Sequence, residues 1–173
     1  MTRLFWLIAP LAAAGTLLWL ALMGERPATH VARFEAAGVM RHIPLHEIYE
    51  VEIVSGARNW RFTKDPIGWA AAGATAAGPL NVGRVDKGLR LLRDSAPERV
   101  LAASEPRDLA AYGLHPPVLS VIVKGRATFS VAFGIANPLG LARYARVGGR
   151  AEVLLLPRYV ADSWEEAVGL RPN

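Results

Sequence analysis

Cysteine is absent from this chain of 173 residues. Disulfide scaffolds, thiolate nucleophiles, CxxC redox sites and cysteine-ligated zinc or iron–sulfur centres are therefore excluded. Lysine is scarce: Lys64, Lys87 and Lys124 are the only lysines among 20 basic residues, and the rest are arginine. Charged residues make up 20% of the chain and hydrophobic ones 52%, with a net charge of +5. So apolar a composition excludes disorder as the main state, and the length has room for one ordinary domain. A GxSxG elbow and a phosphate-cradling Gly-rich loop are also missing. The acidic residues do not pair for acid–base work. Glu50 and Glu52 alternate with apolar neighbours as the outer face of a strand, and Glu165 and Glu166 fall on the wet side of the last helix. His42 and His46 have the i,i+4 spacing of a helical metal pair, with Glu47 beside them. Pro44 disfavours a helix there and no third ligand is evident, so they read as solvated connector histidines. No metal and no cofactor is expected, and no catalytic residue presents itself.

What is present begins with residues 4–23 (LFWLIAPLAAAGTLLWLALM), 20 consecutive residues without a charge. At about 1.5 Å per residue, such a helix is roughly 30 Å long, the thickness of a bilayer hydrocarbon core. Trp6 and Trp19 lie near its two ends, where indole rings favour the headgroup boundary. Ala9 and Ala13 put small residues at helix-packing spacing, and with Trp6 and Trp19 they are candidate partner contacts. The small run Ala12–Gly15 lies mid-segment, and Ala21-Leu22-Met23 is a poor signal-peptidase context, so a retained single-pass anchor is expected over residues 1–24. Positive charges do not settle orientation, because Arg3 stands on one side and Arg26 and Arg33 on the other. A short N-terminal tail before a C-terminal domain behaves as a signal anchor, which predicts that the domain lies outside the cytoplasm.

Residues 25–45 read as a connector and residues 46–173 as the domain. Val51 and Ile53 alternate with Glu50 and Glu52 at the period of a half-buried strand; Trp60 and Phe62 repeat the pattern after a turn, and Trp69 opens a further short extended piece. Asn81 is placed as a helix N-cap for Val82, Val85, Leu89 and Leu92, a helix of about 14 residues ending before Pro97. Gly88 inside it predicts a close neighbour packed at that point. A short helix from Pro106 to Tyr112 should end at Gly113 in the left-handed conformation, with Leu114 as its hydrophobic contact; Pro116 and Pro117 prevent continuation. Strands around Val121, Val131, Tyr144 and Leu154 follow, then a helix after Pro157 with Val160, Trp164 and Val168 as its apolar stripe. The predicted class is α+β: a meandering antiparallel sheet with helices packed on one face.

The hairpin with Trp60, the second tryptophan Trp69, the helix ending near Leu92, the segment Tyr112-Gly113-Leu114-His115-Pro116-Pro117 and the hairpin Gly134…Tyr144-Ala145-Arg146 carry a resemblance. Over roughly residues 46–168 the chain resembles a bacterial family of membrane-anchored domains of unknown function, often found near or fused to components of gliding-motility-type ABC transporters. The resemblance brings no catalytic residues. It implies a helper domain on the periplasmic side of the inner membrane, beside an integral membrane protein complex. Arg143 and Arg146, with Arg126, Arg150 and Arg158, make the C-terminal sheet basic and are candidate partner contacts. Plain surface charge is the default reading of these arginines; a domain outside the cytoplasm rarely meets nucleic acid, so the alternative complement is an acidic partner or anionic lipid and not a nucleic acid. Three functions remain: an accessory subunit, a tethered module binding a ligand or polymer, and an enzyme, the last lacking a convergent acid, base or nucleophile. A pocket lined by Trp60, Trp69 and Tyr144 would favour the module.

Overall fold

The computed structural model describes residues 19, 38–73, 80–101 and 108–170. The chain divides into two units, Met1–Glu35 and Ala36–Asn173. In the first, only Trp19 is described, an exposed helical residue. Among the described residues no helix is long and apolar enough to cross a membrane; the expected span, residues 4–23, lies outside them apart from Trp19.

The second unit is an α+β fold. After a single 3-10 turn at Leu45–Glu47 come β1 (Glu50–Ser55), β2 (Arg58–Lys64), β3 (Trp69–Ala71), α1 (Gly83–Asp94), β4 (Arg99–Leu101), β5 (Leu119–Lys124), β6 (Thr128–Ala136), β7 (Ala142–Val147), β8 (Val153–Pro157) and α2 (Arg158–Ala167). All eight strands join one antiparallel sheet in the order β3-β2-β1-β5-β6-β7-β8-β4. The chain therefore leaves one edge of the sheet after β3, passes through α1 and lays β4 on the opposite edge. It then returns to the centre, where β5 pairs with β1.

Alternation along each strand fixes which residues are inside. Trp60, Ile53, Val121, Val131 and Val147 are directly opposite one another across five strands, and all are buried. The next row along the strands, Asn59, Val54, Ser120, Ala132 and Arg146, points to the other face, as a period of two requires. Val85, Leu89 and Leu92 from α1 join the same core as the buried sheet residues, and so do Val160, Trp164 and Val168 from α2. Both helices thus serve the inner face of the sheet.

The contact between the helices explains the glycine in α1. A Cβ at Gly88 would stand 2.6 Å from the Trp164 ring, closer than carbon atoms approach. Trp164 is wholly buried in the space that the missing side chain leaves. At its C-terminus, α1 is capped from outside: Gly38 N–H donates to the Arg93 carbonyl at 2.8 Å and Met40 N–H to the Leu92 carbonyl at 3.1 Å. A Cβ on Gly38 would meet the Leu92 oxygen at 2.2 Å, so only glycine permits this approach. Val39 and Met40, within the segment read as a connector, are consequently buried in the core.

Three local expectations change. The helix is 12 residues long, and its N-cap position is Val82, without a side-chain cap. Asn81 instead donates its backbone N–H to the Ala167 carbonyl at the end of α2, at 2.9 Å. Tertiary tethering has replaced side-chain capping there. Second, residues 108–112 form one turn, not a regular helix; the rest of the expected helix lies outside the described residues. The turn is organised by Asp108, whose Oδ1 accepts the Ala110 N–H at 2.9 Å. Third, β4 is an edge strand that the sequence pattern did not announce.

Gly88→Ala should test the helix contact. Alanine raises helix propensity by about 1 kcal/mol, but inserting a methyl into a filled core costs roughly 1–3 kcal/mol. The expected outcome is a net loss of up to about 2 kcal/mol in urea unfolding, and a gain in stability would contradict the packing.

Candidate functional site

Among the described residues no helix covers the other face of the sheet, which has two distinct zones. Over β1, β2 and β5 it is ionic. Glu50 accepts from Lys124 Nζ at 2.7 Å and lies 3.5 Å from Arg61 Nε, while Glu52 accepts from Asn59 Nδ2 at 2.6 Å. The hydrogen bond to Glu50 raises the Lys124 ammonium pKa above its ordinary value, with the charges of Glu50 and Glu52 acting the same way. The charges of this zone are paired with one another, while Asn59 Oδ1 is buried without a partner among the described residues.

Beside it the side chains shrink. Ser120 and Ile122 on β5, with Ser130 and Ala132 on β6, floor a trough of about 450 Å³. Leu114 lines it as well, together with Arg146 and the Gly148-Gly149 turn. The Ser120 and Ser130 hydroxyls make no hydrogen bond with a described side chain, and Arg146 uses only its Nε, donating to the Arg150 carbonyl at 3.1 Å. Two hydroxyls and the end of a guanidinium are therefore available to an acceptor-bearing guest, around apolar Ile122 and Ala132. Such a set can hold a partner group by hydrogen bonds and charge. Among the described residues no His, Asp or Glu is bonded to the serines to activate a nucleophile.

Leu114 is placed by a complete helix-stop motif. Gly113 has φ +65°, its N–H donates to the Ala110 carbonyl, and Leu114 N–H donates to the Leu109 carbonyl, both at 2.9 Å. Leu114 is buried, and Pro117 forms an isolated bridge back to it across the cis His115–Pro116 peptide. Tyr112 then docks on β6: its carbonyl accepts the Ile135 N–H at 3.0 Å, at a register shift between Phe133 and Ala136. A Cβ at Gly134 would lie 2.0 Å from that carbonyl oxygen, so the docking depends on glycine. The Tyr112 ring packs against Tyr144 with centroids 4.5 Å apart. The motif Tyr112–Pro117 and the hairpin Gly134…Tyr144 are therefore one structural unit, bordering the trough.

Other expected site residues separate. Trp60 is in the core, with the Arg58 guanidinium 5.5 Å from its ring centroid. Trp69 is half-buried on the edge strand β3, donating Nε1–H to Asp86 Oδ1 at 2.9 Å. Five strand spacings, about 24 Å, divide β3 from β7, which carries Tyr144. No aromatic pocket of Trp60, Trp69 and Tyr144 is formed. Arg143, expected as a partner contact, is turned inward: Nη1 lies 2.5 Å from Glu165 Oε1, with the two side chains 15% and 11% exposed. Glu165 is accordingly buried and does not sit on a wet helix face. Arg146 is the arginine of the two that borders the trough. Trp6, Ala9 and Ala13 lie outside the described residues.

His42 accepts a hydrogen bond from Arg41 Nε at 3.0 Å and lines a smaller cavity of about 200 Å³ with Arg150 and Glu152. Among the described residues no three of His, Asp and Glu are grouped to hold a metal ion. Neither a protein-family model, nor a curated protein, nor a solved structure matches the chain.

The two arginines should separate in stability measurements. Arg143→Ala removes one member of a buried pair and should cost about 3–5 kcal/mol. Arg146→Ala should stay within about 0.5 kcal/mol of the parent. Equal effects in denaturant unfolding would contradict the assignment of Arg143 to the interior.

Proposed function

We propose that this protein is a non-catalytic accessory or assembly subunit of a larger bacterial membrane protein complex. Residues 4–23 anchor it in the inner membrane by one helix, and the α+β domain docks on the periplasmic side. The observation that carries this reading is the trough on the sheet face away from the helices: small side chains and, among the described residues, two unbonded hydroxyls and the unpaired end of Arg146, beside a zone of paired charges. That combination suits noncovalent association with a partner bearing an acidic or carbonyl group, because it offers donors without an activated nucleophile. The 20-residue uncharged run and the resemblance carried by Tyr112–Pro117 support placement beside a membrane complex. A tether confines the domain near partners that share its bilayer, which raises effective concentration without further contacts.

A second reading takes the same trough as a binding place for a small ligand or polymer segment, in a membrane-tethered module associated with an ABC-type transporter. Its volume of about 450 Å³ falls in the range of ligand sites.

The anchor is tested by alkaline carbonate washing, which removes proteins held by charge; the chain should stay in the membrane fraction. Assembly is tested by exchanging residues 4–23 for an unrelated membrane helix and, separately, by Ile122→Glu in the trough. Each change should lower recovery of the complex in mild detergent. If both variants assemble normally, or if the intact protein turns over a substrate, the assembly reading is wrong.

A further inference from the structure

The loop between β6 and β7 presents leucine to solvent from a backbone tied down on both sides of its tip. Asn137 Oδ1 accepts the N–H groups of Leu141 and Ala142, at 3.0 and 3.2 Å, and Asn137 N–H donates to the Ala142 carbonyl at 2.8 Å. Gly140, at φ +70°, donates its N–H to the Asn137 carbonyl at 2.8 Å. Arg158 closes the loop from α2: its N–H donates to the Leu141 carbonyl at 2.9 Å and its Nη1 to the Gly140 carbonyl at 3.2 Å. On this frame Leu139 is 77% exposed and Leu141 67% exposed, with Pro138 between Asn137 and Leu139 also exposed. Tyr159, next to Arg158, is half exposed.

Single exposed leucines are ordinary. Two of them one residue apart, on a loop held by these bonds, are a presented surface. The occupant we infer is the bilayer itself: this tip dips into the membrane interface as a second point of attachment. The inference rests on the anchor reading. Three observations favour lipid. The backbone N–H groups of Asn137, Gly140, Leu141 and Ala142 are bonded within the protein, so these lose little on leaving water. The neighbouring cations are paired, Arg158 with Asp162 at 3.4 Å and Arg143 with Glu165, so neither of these charges stands free beside the leucines. The chain also joins the domain at Gly38, bonded to the Arg93 carbonyl, two residues before Ser95, whose hydroxyl meets the Tyr159 hydroxyl at 3.2 Å. Only residues 24–37 separate that junction from the apolar run, a reach of at most about 50 Å. Tyrosine beside leucine is also the composition favoured at a headgroup boundary.

The absence of cysteine makes the test clean. Pro138→Cys in the full chain, labelled with the fluorophore NBD, is reconstituted into vesicles of phosphatidylethanolamine and phosphatidylglycerol. A reference label goes at Arg126→Cys, in the β5–β6 turn, where the side chain is 86% exposed. The nine residues of β6 place it roughly 30 Å from the tip. At position 138 the emission should shift to the blue and be quenched by lipids carrying a nitroxide on the acyl chain, while iodide has little effect; at position 126 iodide should quench and the nitroxide lipids should not. Leu139→Ser with Leu141→Ser should return the label at 138 to iodide. If that label is as open to iodide as the one at 126, or is shielded from both quenchers as in a protein contact, the inference is overturned. Release of the chain by carbonate would instead fail the anchor, so the two failures are distinguishable.

Discussion

Everything in the domain depends on covering one face of a wide sheet with two short helices. The arrangement is possible because Trp164 of α2 enters the gap that Gly88 leaves in α1. Without that close approach the helices would stand apart and leave part of the inner face to water. Burial of aromatic and branched side chains supplies most of the favourable free energy of folding, so a gap there would be costly. The same contact imposes a cost on α1, which accepts a poor helix former at its centre. External capping of its last carbonyls by Gly38 and Met40 offsets part of that cost and draws the preceding chain into the core.

A sheet covered on one side leaves a second side with a different obligation. Its charged residues are arranged to satisfy one another where they are dense, around Glu50, Glu52 and Lys124. Where β5 and β6 carry serine and alanine, the surface instead falls away into a trough with unused donors. The edges are guarded by short strands, β3 and β4, of three residues each, which limits pairing with other chains through the backbone. Side chains on that face, not strand edges, carry the association proposed for this domain.

Much of this was legible in the sequence wherever the signal is local and periodic. Alternation in β1, β5 and β6, the stripe of Val160, Trp164 and Val168, the need for a neighbour at Gly88, and the stop at Gly113-Leu114 all follow from short-range rules. What escaped is non-local. Arg143 and Glu165 are 22 residues apart, and a surface reading of each ignored the other. β4 has three residues and no alternation to read, because its pairing with β8 defines it. Asn81 carried the right cap chemistry, but a backbone bond to Ala167 took precedence. The trough was illegible for a related reason: small residues on adjacent strands become a concavity only once register aligns Ser120 with Ala132 and Ile122 with Ser130. Two separated motifs quoted for the family resemblance, Tyr112–Pro117 and Gly134…Tyr144, do meet, and Gly134 gave a faint clue as a glycine within a strand.

The central claim is that the protein works by association through its open sheet face while the helix side stays free. A photo-crosslinking residue at Ile122, in the trough, and another at the exposed Arg90 of α1 compare the two sides directly in intact membranes. The account predicts one discrete adduct with an integral membrane protein from position 122 and none from position 90. No adduct from 122, or the same adducts from both positions, would contradict it.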